Sequence, residues 1–225
     1  MHIEPGLVDG AKLTLSYATA AAAGGFAVKL ASETVREQGI ASFAVRAIVA
    51  AALVFSFFEL LPHFRVGVSE LHFILGSTLF LVLGAAPAAC GLALGLLAQG
   101  QVFEPADLPQ YGMNVTTLLV PLFAIRALAD RIIPGKTAYV DLQYRQALAL
   151  STAYQSGIVA WVAFWALYGA GFGAQNLASI ATFAASYTLI IIVEPLADLA
   201  VLALAKLGRD VVAGGLVTRR LHHAA

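Results

Sequence analysis

The chain begins Met1-His2, and another histidine, His72, stands at the head of a long apolar run. A free α-amine, the amide nitrogen of residue 2 and the Nδ1 of that residue's imidazole can close fused five- and six-membered chelate rings, setting three nitrogens in one plane. A square-planar ion then lacks a single donor, which a further imidazole supplies. Nitrogen-rich tetragonal coordination suits Ni(II), Cu(II) or low-spin Co(II) better than it suits tetrahedral Zn(II) or oxygen-seeking Mg(II). The chelate is also electrostatically consistent. An α-amine with a pKa of about 7.7 to 8.0 gives up its proton readily to a metal, and ionising the His2 amide removes one further positive charge from the site.

His72 is flanked by Leu71, Phe73 and Ile74. An imidazole there that faced lipid would cost free energy, so it reads as a ligand or as a satisfied core residue. Glu70 and Ser69, just upstream, have the chemistry to orient His72 or to offset residual charge, and Ser69 also reads as the N-cap of the following helix. His63 follows Pro62 in a short loop and reads as a solvated interface residue, while His222 and His223 read as a solvated tail. Asn114 opens the fifth apolar segment, where it reads as a helix cap. Glu194-Pro195 interrupts the seventh, and an acid at membrane depth must be paired or face a polar path. Three roles are open to Glu194: proton relay, partner docking, or a structural acid bonded to its neighbours. Its only intramembrane companion is Asp198, one turn on, so structure or coupling is preferred over relay.

The segments that must position these groups are those of an integral membrane protein. Of the 225 residues, 60% are apolar and 12% charged, and the mean hydropathy is +0.84, far from the composition of a soluble domain. The net charge of zero points to no nucleic-acid partner. Taking about 20 apolar residues per crossing, the sequence predicts an all-α protein with seven spans near 11–30, 40–61, 71–86, 88–103, 114–132, 147–168 and 177–205. The third and fourth form one stretch that as a single helix would be about 48 Å long, too long for one crossing, and Gly84-Ala85-Ala86-Pro87 supplies the break. With the N-terminus outside and the C-terminus cytoplasmic, every Lys and Arg except Lys12 and Arg65 gathers on the inner side. Arg46 and Arg126 are expected to snorkel. Phe55, Phe57, Phe58, Trp161, Trp165 and Tyr168 are expected to form an outer aromatic belt.

The stretch Ala18 to Ala23 offers A-x-A patterns, but Glu4, Asp9 and Lys12 precede it where a secretory signal requires a positive start, so His2 is expected to remain in the mature chain. Cys90 is the sole cysteine and reads as packing. No G-x-x-x-x-G-K-[ST] loop, G-x-S-x-G elbow or H-E-x-x-H pair occurs. No catalytic residue or organic cofactor is therefore expected, and any ATP-driven step belongs to another chain.

In their order, these residues resemble the metal-binding components of energy-coupling-factor transporters for cobalt and nickel, the CbiM/NikM type. Met1-His2-Ile3 with Gly6 resembles that family's mature start, and His72 with Gly76 its second histidine motif. Leu96-Leu97-Ala98-Gln99 resembles its L-L-x-Q, Gly112-Met113-Asn114 with Pro121 its G-A-N and later proline, and Val193-Glu194 its final-helix acidic motif. Met113, Val120 and Pro195 depart from the pattern. The resemblance implies a Co2+ or Ni2+ square of the Met1 amine, the His2 amide and imidazole nitrogens and the His72 imidazole. It also implies a plasma-membrane location, loading from outside, and release driven by a transmembrane coupling subunit with paired ATPases, with an accessory membrane chain left open. Two other readings compete: a haem or accessory protein using His63 and His72, and a component of the same fold that binds an organic vitamin.

Overall fold

The structure is a computed structural model that describes residues 2–135 and 137–208. Met1, Lys136, Arg209, Arg219, Arg220, His222 and His223 lie outside the described residues. Among the described residues, seven α-helices and one β-hairpin follow one another: α1 (Leu13–Gln38), α2 (Ile40–Leu60), β1 (Phe64–Val66), β2 (Ser69–Leu71), α3 (Gly76–Leu83), α4 (Ala85–Val102), α5 (Tyr111–Ile132), α6 (Tyr144–Ala170) and α7 (Ala174–Leu207). Short 3-10 turns at Gly10–Lys12, Pro105–Gln110 and Tyr139–Asp141 complete the order.

Among the described residues, five helices are long and apolar enough to cross a bilayer: α2, α4, α5 with its leading turn, α6 and α7. Helix α1 has the length, 26 residues, but carries Lys29, Glu33, Arg36 and Glu37 in its second half. Helix α5 lies at the centre, packed on α1, α4 and α6, and buries Val115, Leu118, Leu122 and Ile125. Helices α2 and α4 approach so closely that a Cβ added to Gly91 would lie 2.2 Å from the Ala50 Cβ. Small residues permit this contact.

The expected third span, 71–86, takes another form. The chain leaves β2 at Leu71, runs without helix through His72–Leu75, and forms only the eight residues of α3, about 12 Å of helix. Helix starts late because the Ile74 N–H, and the Leu75 N–H at 3.0 Å, donate to the Glu194 carboxylate rather than into a preceding turn. Leu75 is left-handed, φ 53°. Asp198, one turn along α7, accepts the hydroxyls of Ser77 and Thr78. At the other end Arg46 donates from a guanidinium nitrogen to the Leu83 carbonyl at 2.8 Å. Acids at the start and a cation at the end match the helix dipole.

Three expectations change accordingly. The break before α4 is Gly84, with φ 95°, while Pro87 sits in the first turn of α4, where a missing N–H is no loss. Arg46 does not snorkel; it is buried and joins α1, α2 and α3 through Gln38, Ser42 and Leu83. Trp165 and Phe58 do not belong to a surface belt, for both are fully buried.

Candidate metal centre

The hairpin turns through Gly67-Val68, with Gly67 at φ 63° as the first central residue of a two-residue loop, the position glycine fills in a II′ turn. This turn sets a register in which Arg65 faces Glu70. Residues 2–4 lie along the free edge of β2: Ile3 bridges Ser69, the Glu70 N–H donates to the His2 carbonyl at 3.0 Å, and the Glu4 N–H donates to Val68 at 3.1 Å. Arg65, Glu70 and His2 therefore form one row across three extended segments. Residues opposite one another, and residues two apart, share a face, which adds His72 to the same side.

Other groups fix the leading segment. The Ile3 N–H donates to Asn114 Oδ1 at 2.9 Å, and the Ser69 hydroxyl donates to the His2 carbonyl at 2.9 Å. The Ile3 side chain is fully buried among Val8, Met113 and Trp165. Ser69 and Asn114 thus act across the fold rather than as helix caps. Ser69 lies in β2, and Asn114 sits inside α5, which begins at Tyr111.

His2 Nδ1 and His72 Nε2 converge on one atom, Glu70 Oε2, at 2.8 and 2.9 Å. Arg65 Nε donates to the other carboxylate oxygen at 2.8 Å. His2, Glu70 and His72 each offer a donor atom within 4.8 Å of the others. All three are buried. Phe58 packs on both imidazoles, and His63 stacks on His72 with centroids 5.0 Å apart and planes within 10°. Face-to-face rings do not point their nitrogens at a common ion, so His63 and His72 are not arranged as a haem-ligand pair.

Burial pushes the Glu70 carboxyl up, but the hydrogen bonds from His2 and His72 outweigh it and hold the group well below the usual carboxylate range. Burial also lowers His2 from its ordinary value. At neutral pH the cluster is an ionised carboxylate accepting N–H from both imidazoles. The remaining ring nitrogens, His2 Nε2 and His72 Nδ1, are buried without partners. Neutral imidazole is the ligating form.

Of the residues singled out in the sequence, His2, Ser69, Glu70, His72 and Asn114 come together here. Met1 lies outside the described residues. Glu194 is elsewhere: it accepts the Ile74 and Leu75 N–H groups and the Gln155 amide, so it holds the segment that follows His72. Sequence reasoning missed Arg65, Phe58 and Asp107. The Glu70-x-His72 spacing, read with a strand's period of two, is the signal that points to this shared face.

Helices of bilayer length around a buried, polar, histidine-rich site define a multi-pass membrane protein. The chain belongs to the family described as the cobalt uptake substrate-specific transmembrane region, CbiM, whose model matches residues 2–210. Its fold is similar to a crystal structure described as that of a transition metal transporter, with a TM-score of 0.70 at 17% identity, covering 99% of this chain and 96% of that one. No curated protein matches the sequence.

Proposed function

We propose that this protein is the substrate-binding membrane subunit of an uptake system for Co2+ or Ni2+, without catalytic activity of its own. The observation that supports this most is the convergence of His2 Nδ1 and His72 Nε2 on one point in a chain of the CbiM family. The ion takes that point, with the Met1 amine and the His2 amide nitrogen completing a four-nitrogen square. A divalent ion bound to one ionised amide keeps one positive charge, and Glu70 balances it after withdrawing toward Arg65. Ser69 and Asn114 hold the leading segment in register, and Glu194 links the site to α7.

The chain crosses the plasma membrane seven times with the N-terminus outside. Support for the third crossing comes from length: non-helical His72–Leu75, at up to about 3.3 Å per residue, adds roughly 13 Å to the helix, giving about 25 Å against a core of about 30 Å. The ion enters from outside and leaves to the cytoplasm when a transmembrane coupling subunit, powered by paired ATPases, moves the helices. A small accessory membrane chain fits the same scheme.

Metal analysis and Ni(II) or Co(II) titration of the purified protein with an unmodified N-terminus test this reading. One equivalent of tightly bound ion is expected. A tag fused ahead of Met1, or His72→Ala, is expected to abolish binding while membrane insertion persists. Retained binding in either variant overturns the chelate, and co-purification of an organic vitamin in place of metal overturns the substrate class.

A further inference from the structure

His2 has a carboxylate on each side. Glu70 meets its Nδ1; on the opposite side, Asp107 Oδ2 lies 3.7 Å from its Nε2. Asp107 sits in the 3-10 turn Pro105–Gln110 ahead of α5, is 3% exposed, and has no hydrogen-bond partner at either side-chain oxygen. His2 Nε2 is likewise buried and unpartnered. A void of about 10 Å³, lined by His2, Asp107, Tyr111 and Asn114 among others, adjoins the pair, room for about one water. Buried polar groups normally find partners, so two unpartnered polar atoms face to face call for an account.

We propose that Asp107 is a positioning residue for the metal site: it accepts the Nε2–H of His2 and so fixes the tautomer and ring orientation that leave Nδ1 free for the ion. This rests on the metal-site reading above. Without metal, the imidazole keeps its single proton on Nδ1, donating to Glu70. When the ion takes Nδ1, that proton leaves and one joins Nε2, so the ring stays neutral and its new donor faces Asp107. A water in the void, or a closure of less than the gap itself, completes the bond. Ligating histidines commonly give their other N–H to a carboxylate, which orients the ring and raises its basicity. Glu70 and Asp107 therefore select between two tautomers of one residue.

Ni(II) titration of the full chain with a native N-terminus provides the test, using Asp107→Ala, Asp107→Leu and Asp107→Asn. Loss of the acceptor in the Ala and Leu variants is expected to weaken nickel binding by about 10- to 100-fold. Asn keeps an acceptor oxygen and is expected to restore most of that affinity. In nickel-loaded, diamagnetic protein with ¹⁵N-labelled histidine, the His2 Nε2–H resonance is expected at a hydrogen-bonded position in wild type and in Asp107→Asn, and shifted in Asp107→Leu. Leu fills the space without accepting, so wild-type affinity and an unshifted resonance in that variant overturn the proposal. So does an Asn variant as weak as Leu. Wild-type protein that takes up no nickel overturns the site reading together with this one, whereas nickel binding that depends on His72 but not on Asp107 overturns this one alone.

Discussion

Glu70 is a strong acid held among two imidazoles and a guanidinium, and its titration shapes the behaviour of the site. Its folded pKa lies below the ordinary 4.5, so the stability it contributes is complete above that value and is lost as pH falls toward the folded pKa. Thermal melts of detergent-solubilised protein are expected to show this decline below pH 4.5, and Glu70→Gln is expected to flatten it. Metal binding obeys a different titration. On the proposed site, nickel affinity is expected to rise through pH 7 to 8, where an α-amine of pKa about 7.7 to 8.0 deprotonates.

At the scale of elements, the hairpin and α3 are both held from α7. A Cβ on Gly67 would lie 2.2 Å from the Ser179 carbonyl, and its φ of 63° disfavours any side chain. Gly67→Ala is expected to cost at least about 1–2 kcal/mol from the backbone alone, seen as a lower melting temperature, and to weaken metal binding because the hairpin presents Glu70 and His72. Glu194→Ala leaves the buried Ile74 N–H and the half-buried Leu75 N–H without acceptors, at about 1–3 kcal/mol for the buried one. A reduced melting temperature and weaker nickel binding are expected from a residue that touches no ligand.

The same contacts account for what the sequence could and could not reveal. Apolar runs place α2, α5, α6 and α7 within a few residues, because bilayer length and turn chemistry are local properties. Residues 71–86 are as apolar as a span, yet their first part is non-helical, because the acceptor for Ile74 and Leu75 lies about 120 residues away. Ser69 and Asn114 are good caps by residue type, but a segment from the chain start claimed both. The chemistry of His2 and His72 marks them in the sequence, whereas the face that Glu70 and His72 share depends on a strand where the sequence predicts the start of a span. Asp107 carries no such mark, since only folding brings the turn before α5 against residue 2.

For the whole molecule, the distribution of Lys and Arg makes the membrane orientation testable. With Cys90 replaced by Ala, a cysteine at Phe172, which is 76% exposed between α6 and α7, is expected to react with an impermeant maleimide from outside intact cells. A cysteine at Gly135, exposed between α5 and α6, is expected to react only after the cells are opened. The reverse pattern would invert the proposed topology. In vesicles the chain alone is expected to bind nickel or cobalt without ATP-dependent accumulation, which should appear only when coupling and ATPase subunits are added.

The hydrogen bond from Ile3 to Asn114 has a consequence for biosynthesis. Ile3 cannot dock on Asn114 until more than a hundred later residues have left the ribosome, because that anchor lies in α5. A nascent chain halted before α5 would hold the hairpin but not Asn114, leaving the Ile3 N–H without its acceptor. Fixing of this segment is thereby deferred until the bundle is largely inserted, and a truncated translation product would leave it only half anchored.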